Sequence, residues 1–158
     1  MANTNILSTL TTAVNNRLTT GFATLNTPGT GPLTAGIAIL TEDEHDLATK
    51  ISEAVDKTGM LVLIGMPSFI NEALFNPQTN AKITFAVVVA ELPITWRDAA
   101  GLNPHCLDVV QYVTQLLAQF QIAGFQKLRV QDAKFFQDKK RLIYGISIET
   151  MATLNPLP

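Results

Sequence analysis

The chain has 158 residues, a net charge of −2, 47 % apolar residues and only 15 % charged ones. That length suits a single domain, residues 1–158, with a core large enough to stand without disulfide or metal staples. The weak acidic balance gives no basic field for nucleic acid or anionic membrane, and one cysteine excludes an internal disulfide. An average domain carries about 25 % charge, so a chain this poor in charge is expected to hide surface against other subunits.

The first segment, 3–19, is expected to be a helix. Ile6, Leu10, Val14 and Leu18 recur at a spacing of four and make one apolar stripe, with Gly21 as its stop. It has no basic stretch followed by a continuous apolar run, so a signal peptide is not expected. The segment "FATLNTPGTGPLT", 22–34, reads as a long loop used in contacts, peripheral to the domain together with the first helix. It has two glycines but neither a P-loop lysine nor the G-x-G-x-x-G spacing, so it is not expected to cradle phosphate.

A short strand follows at 35–40. "TEDEHDLATKISEAVDKTG" then opens with Thr41 and Glu44 in capping-box spacing and buries Leu47, Ile51, Ala54 and Val55. Asp46–Lys50 and Glu53–Lys57 are expected as ion pairs on its outer face. Asp43, His45 and Asp46 fan around the first turn, which is a poor geometry for a metal site and a good one for a solvated helix start.

"MLVLIGM", 60–66, is a strand stopped by Pro67, and 67–80 is irregular with a fragment of strand. "KITFAVVVAEL", 82–92, reads as the central strand. Ile83, Phe85, Val87 and Val89 face one way, and Thr84, Ala86, Val88 and Ala90 the other. These runs fall far short of the roughly 20 residues of a membrane helix.

"GLNPHCLDVVQ", 101–111, joins His105 to the sole cysteine, Cys106. A nucleophile with an adjacent base is one reading. The other is a helix start, with Asn103 as N-cap, Pro104 in the first turn, and a helix to about Phe120. Adjacent helical residues point about 100° apart, so His105 does not face Cys106. Cys106 falls on the apolar stripe with Val110, Val113, Leu117 and Phe120, joined by Leu107 and Leu116, so the helix reading is preferred. No catalytic, metal or cofactor residue is assigned, and no cofactor is expected.

Two strands close the chain, 125–136 and 140–151, joined by a hairpin turn at "QDKK", with Leu142, Tyr144, Ile146 and Ile148 alternating inward. Residues 152–158 are a tail. The cluster "KFFQDKKR", 134–141, is the one place where cations and aromatics mix. It reads better as a protein contact at a hairpin tip than as a nucleic-acid site. Phe135 and Phe136 are expected on opposite faces, one entering the core and one meeting a neighbour. Phe135, Phe136, Lys139, Lys140, Arg141 and Phe69 are therefore the candidate interface residues.

From residue 43 onward the order is helix, strand, strand, helix, strand, strand. With "ISEAVDKTGMLVLIGMP", "AKITFAVVVAEL", "LDVVQYVTQLLAQF" and "LIYGISIETMATL", it resembles the tail terminator and tail completion proteins of long-tailed bacteriophages, including the Mu-like prophage tail protein family. The resemblance covers residues 43–151. It implies an α+β fold: a mixed, mostly antiparallel sheet with helices packed on one face. It implies a structural, non-enzymatic virion protein, assembled in the host cytoplasm. That protein forms a ring with itself, commonly a hexamer, which caps the tail tube or sheath and meets the head–tail connector. The first 40 residues are less typical and leave room for a neck or head-completion protein. A small cysteine-dependent enzyme or ligand-binding domain is the third reading.

Overall fold

The computed structural model describes residues 5–25, 37–57, 59–71, 79–93, 104–138 and 140–154. Helix α1 spans Ile6–Leu25. Asn5 caps it, its Oδ1 accepting the N–H groups of Leu7 at 3.0 Å and Ser8 at 3.2 Å. Leu10, Val14 and Leu18 are buried as the stripe requires, and Phe22 adds one further buried turn. The helix therefore continues past Thr19, and Gly21 lies inside it. This corrects the expected stop. A Cβ at Gly21 would stand 2.5 Å from Cδ1 of Leu116, so the glycine serves a close helix crossing. Residues 26–34 of the expected loop lie outside the described residues.

Strand β1, Ala38–Thr41, runs parallel to β2, Met60–Ile64, and helix α2, Leu47–Lys57, connects them. Thr41 and Glu44 do bond, since Oε1 of Glu44 accepts the Thr41 N–H at 3.1 Å. They close a turn ahead of the helix, however, which begins at Leu47 after Asp46 takes a left-handed φ of 58°. Lys50 pairs with Glu44 rather than Asp46, because the turn folds Glu44 back over the helix. That ammonium, then the Thr41 N–H, holds the Glu44 carboxyl below the usual carboxylate range. The side chain of Lys57 lies outside the described residues.

Strand β3, Ser68–Asn71, comes from the segment expected to be mostly irregular, and β4 is Thr79–Glu91. Helix α3 is Cys106–Leu117. It ends earlier than Phe120 because Gln119 turns left-handed (φ 62°) and donates its N–H to Leu128 O at 3.0 Å. Strands β5, Arg129–Gln137, and β6, Leu142–Leu154, form the closing hairpin. Asp138 and Arg141 exchange backbone hydrogen bonds at its tip. β6 takes in part of the expected tail because Thr79 and Asn80 of β4 pair with Leu154 and Thr153.

The sheet order is β1-β2-β4-β6-β5, and β3 also pairs with β4. β6 occupies one side of β4 along its whole length, so β2 and β3 share the other side, over Val87–Glu91 and Ala81–Thr84. At the break between them Gly65 donates its N–H to Ala86 O at 2.8 Å, and Glu42 Oε2 accepts the Met66 N–H at 2.6 Å.

This is an α+β fold with a mixed, mostly antiparallel sheet and helices packed against it. Helices α1 and α3 lie together on one face, over Met60, Val62, Ile83, Val87, Val89 and Ile146. Helix α2 lies on the other face, where Ala54 and Val55 cover Leu61 and Ala90. The one-face arrangement thus holds for α1 and α3, while the parallel β1–α2–β2 crossover places α2 opposite. Beyond α2 that second face is open, with Ala86 and Ser147 exposed.

Gly21 and Leu116 make a testable pair. Alanine for glycine inside a helix ordinarily gains about 1 kcal/mol. Against Leu116 the added methyl must displace a packed side chain, at a cost of about 1–3 kcal/mol. Gly21→Ala should therefore destabilise the native protein in urea unfolding, and should stabilise a Leu116→Ala background. The same sign in both backgrounds would count against the close crossing.

Candidate subunit interface

The start of α3 is held from two directions. His105 is the N-cap residue, extended at φ −73° and ψ 166°, and its N–H donates to Asp108 Oδ2 at 2.9 Å. Asn103, the expected cap, lies outside the described residues. The next N–H, of Cys106, donates to Glu91 Oε2 at 2.7 Å. A carboxylate at a helix N-terminus gains from both the charge-assisted hydrogen bond and the helix dipole. Glu91 is 0 % exposed, so the bond is made away from water.

Sequence reasoning passed over Glu91. The signal was its parity: it is two residues beyond Val89, on the inward face of β4, where an acid needs a partner.

Cys106 is buried, with Sγ 3.8 Å from both Val89 O and Leu142 O. These are contacts of a core thiol, a weak donor between two backbone carbonyls. His105 is exposed at the neighbouring position. The other histidine, His45, sits at the surface with Nδ1 2.8 Å from Asp46 Oδ2. Among the described residues no three acidic, histidine or cysteine side chains gather as a metal group.

The hairpin brings four of the candidate interface residues together. Phe135 is 48 % exposed and Phe136 is 56 % exposed. They face opposite sides of the sheet, as expected, but neither enters the core. The reason is that β5 is an edge strand that α3 covers only in part: Val130 packs against the core, while Phe135 and Phe136 lie toward the hairpin tip. Phe135 packs its ring on Tyr144, centroids 5.1 Å apart. Phe136 lies over Gly145, where a Cβ would be 3.4 Å from its Cε2. Lys140 and Arg141 are exposed at the tip, and Lys139 lies outside the described residues.

Leu107, expected on the buried stripe of α3, is 61 % exposed. Val109 takes the buried position instead. Leu107, His105, Phe135, Tyr144 and Leu142 line a hollow of about 460 Å³ whose floor includes Glu91 and Cys106. Phe69 is elsewhere. It is opposite Ile83 on β3, with Met66 and Ile70 also exposed. Among the described residues the molecule thus carries two separate apolar patches, one at the β5 edge and one along β3.

Polar groups edge the first patch. The Ser147 hydroxyl, and more weakly the Lys134 ammonium, hold the Asp132 carboxyl below the usual carboxylate range. Lys134 Nζ lies 3.4 Å from Asp132 Oδ2.

No family model and no curated protein matches the chain. Among solved structures its fold is similar to that of a chain in the virion of a native gene transfer agent (GTA) particle. The TM-score is 0.60 at 14 % identity, covering 96 % of this chain and 100 % of that one. Among the described residues no helix is long and apolar enough to cross a membrane.

The geometry makes two expectations measurable. Glu91→Gln keeps the shape but removes the charge that faces the Cys106 N–H. It should lower unfolding stability by about 1.5–3 kcal/mol in urea melts, and an unchanged midpoint would mean that the carboxylate contributes nothing. Phe135→Ser and Phe136→Ser should both stay folded, each losing no more than about 1.5 kcal/mol. Cooperative thermal melts near the parent value test this, and collapse of either variant would mean that its ring belongs to the core.

Proposed function

We propose that this chain is a structural protein of a phage-like virion that works by binding rather than by catalysis. In the finer reading it is a tail terminator: a ring, commonly of six copies, that caps the tail tube and presents it to the head connector. The observation that carries the reading is the likeness of fold along nearly the whole chain to a chain of a GTA virion. The distribution of surface supports it. The apolar patch at the β5 edge suits one side of a heterologous, head-to-tail contact, which closes into a ring when its rotation allows, and the patch along β3 is left for a different contact. Phe135, Phe136, Lys140 and Arg141 belong to one such contact, and Phe69 to another. Lys139 is proposed for the hairpin contact on sequence alone. The chain acts in the tail or neck of the particle after assembly in the host cytoplasm, with tail tube or sheath and connector as its partners.

Particles assembled without this protein provide the test. Electron microscopy should show complete heads beside unjoined tails of irregular length, and the purified protein should restore joining and uniform length. Tails of uniform length beside heads that have lost their DNA would move the assignment to the neck or head-completion position. Normal infectious particles would remove the virion role.

A further inference from the structure

The two outer edges of the sheet carry opposite charge. Around β5, from Lys127 to Arg141, five described side chains are cationic and two, Asp132 and Asp138, are anionic. After the end of β1, on the far side of the sheet, the turn 42–46 supplies Glu42, Asp43, Glu44 and Asp46; Lys50 pairs with Glu44, and the Glu42 carboxylate accepts the Met66 N–H. The chain as a whole is only −2, so the separation comes from placement and not from composition.

Register sets the acidic turn level with Asp132 and two residues from Lys134, which is level with Leu40 of β1. Glu42 follows Thr41, which is level with Ile64, and its N–H donates to Ile64 O. The next level runs through Gly65 to Ala86, from Ala86 to Ser147, and from Ser147 to Asp132. The acidic turn thus lies straight across the sheet from Asp132, with Lys134 two residues along. Polarity also fits. β1 is parallel to β2, and three antiparallel steps lead from β2 through β4 and β6 to β5. β5 therefore runs opposite to β1. An antiparallel pair of β5 with β1 of the next copy needs this opposition, together with a rotation between copies that offsets the twist accumulated over the four strand steps. Among the described residues both strands pair with another strand on one side only, and on the outer side of β1 the Thr41 N–H and carbonyl are taken by Glu44, which leaves Ile39 as the outward-facing residue of that edge. An edge strand with unpaired backbone groups is a template for another strand.

We infer that copies of this chain join head to tail through these edges, the basic β5 edge of one against β1 and the acidic turn 42–46 of the next. The occupant of each edge is a second copy, because the complementary edge is on the same molecule. Phe135 and Phe136, exposed on the two faces of β5, flank the junction and lose water when it forms. This inference rests on the ring reading and adds the surfaces that close it.

Zero-length carbodiimide cross-linking of the full chain, followed by peptide mass mapping, tests it. Within one molecule four strand spacings separate the edges, about 19 Å at roughly 4.8 Å each. A direct amide between Lys134 and Glu42, Asp43 or Asp46 can therefore form only between copies. The expected result is that link, in oligomers also seen by sedimentation velocity. Charge reversal is the second arm. Lys134→Glu and Asp43→Lys, both at exposed positions, should each weaken self-association by about tenfold or more, and together restore it to within about threefold. Oligomers whose links never join these edges, or whose strength ignores both reversals, would overturn the edge assignment and leave the ring reading standing. So would single reversals that weaken association without mutual rescue. A wild-type protein that stays monomeric alone and in the presence of tail tubes would overturn both.

Discussion

Thirteen consecutive residues of β4 pair with thirteen of β6, from Thr79 with Leu154 to Glu91 with Leu142. The register of this ladder decides everything attached to it. A slip of one residue would turn Ile83, Phe85, Val87 and Val89 from the helices to the open face. It would also carry Glu91 away from the N-terminus of α3. β2 and β3 take their places from β4, and β5 takes its place from β6. The helices then cover what the alternation leaves apolar: α1 and α3 on the face of Val87 and Val89, α2 on the face of Ala90.

The Glu91 contact ties three elements into one corner. The carboxylate ends β4 and holds the first N–H of α3, while Cys106 Sγ lies against the carbonyls of Val89 and Leu142. Leu142 begins the strand that carries the hairpin. The tip end of the hairpin, where Leu142 faces Gln137, is thus anchored by buried contacts, while Phe135, Phe136, Lys140 and Arg141 around it stay at the surface.

Period-2 alternation made β4 and β6 legible from sequence, because both bury one complete face. The stripe of α1 was legible for the same reason, while the α+β class came from the resemblance that these elements carry. What stayed hidden depended on partners distant in sequence. Gly21 has the features of a stop signal, and nothing local says that Leu116 will come within reach of it. Thr41 and Glu44 do meet, but the left-handed turn at Asp46 displaces the helix start beyond them. Leu107 and Val109 flank one stripe, and only the direction of approach of the sheet decides which is covered. In the candidate interface, the opposite facing of Phe135 and Phe136 was readable from alternation. The exposure of both was not, since it depends on how far α1 and α3 reach across the sheet. Glu91 was within reach of the same alternation that placed Val87 and Val89.

The register of β5 shifts once, between Val130 and Asp132. A bulge of this kind bends an edge and increases its local twist. It leaves Asp132–Gln137 as the straight part of the strand, and charged Asp132 and Lys134 lie within that part. Unrelated extended chains, which abound in a crowded cell, would find there a short and charged margin next to a bend. Stacking into amyloid-like fibrils favours flat, uncharged strands. The irregularity at Gln131 therefore protects the free protein from unspecific strand addition.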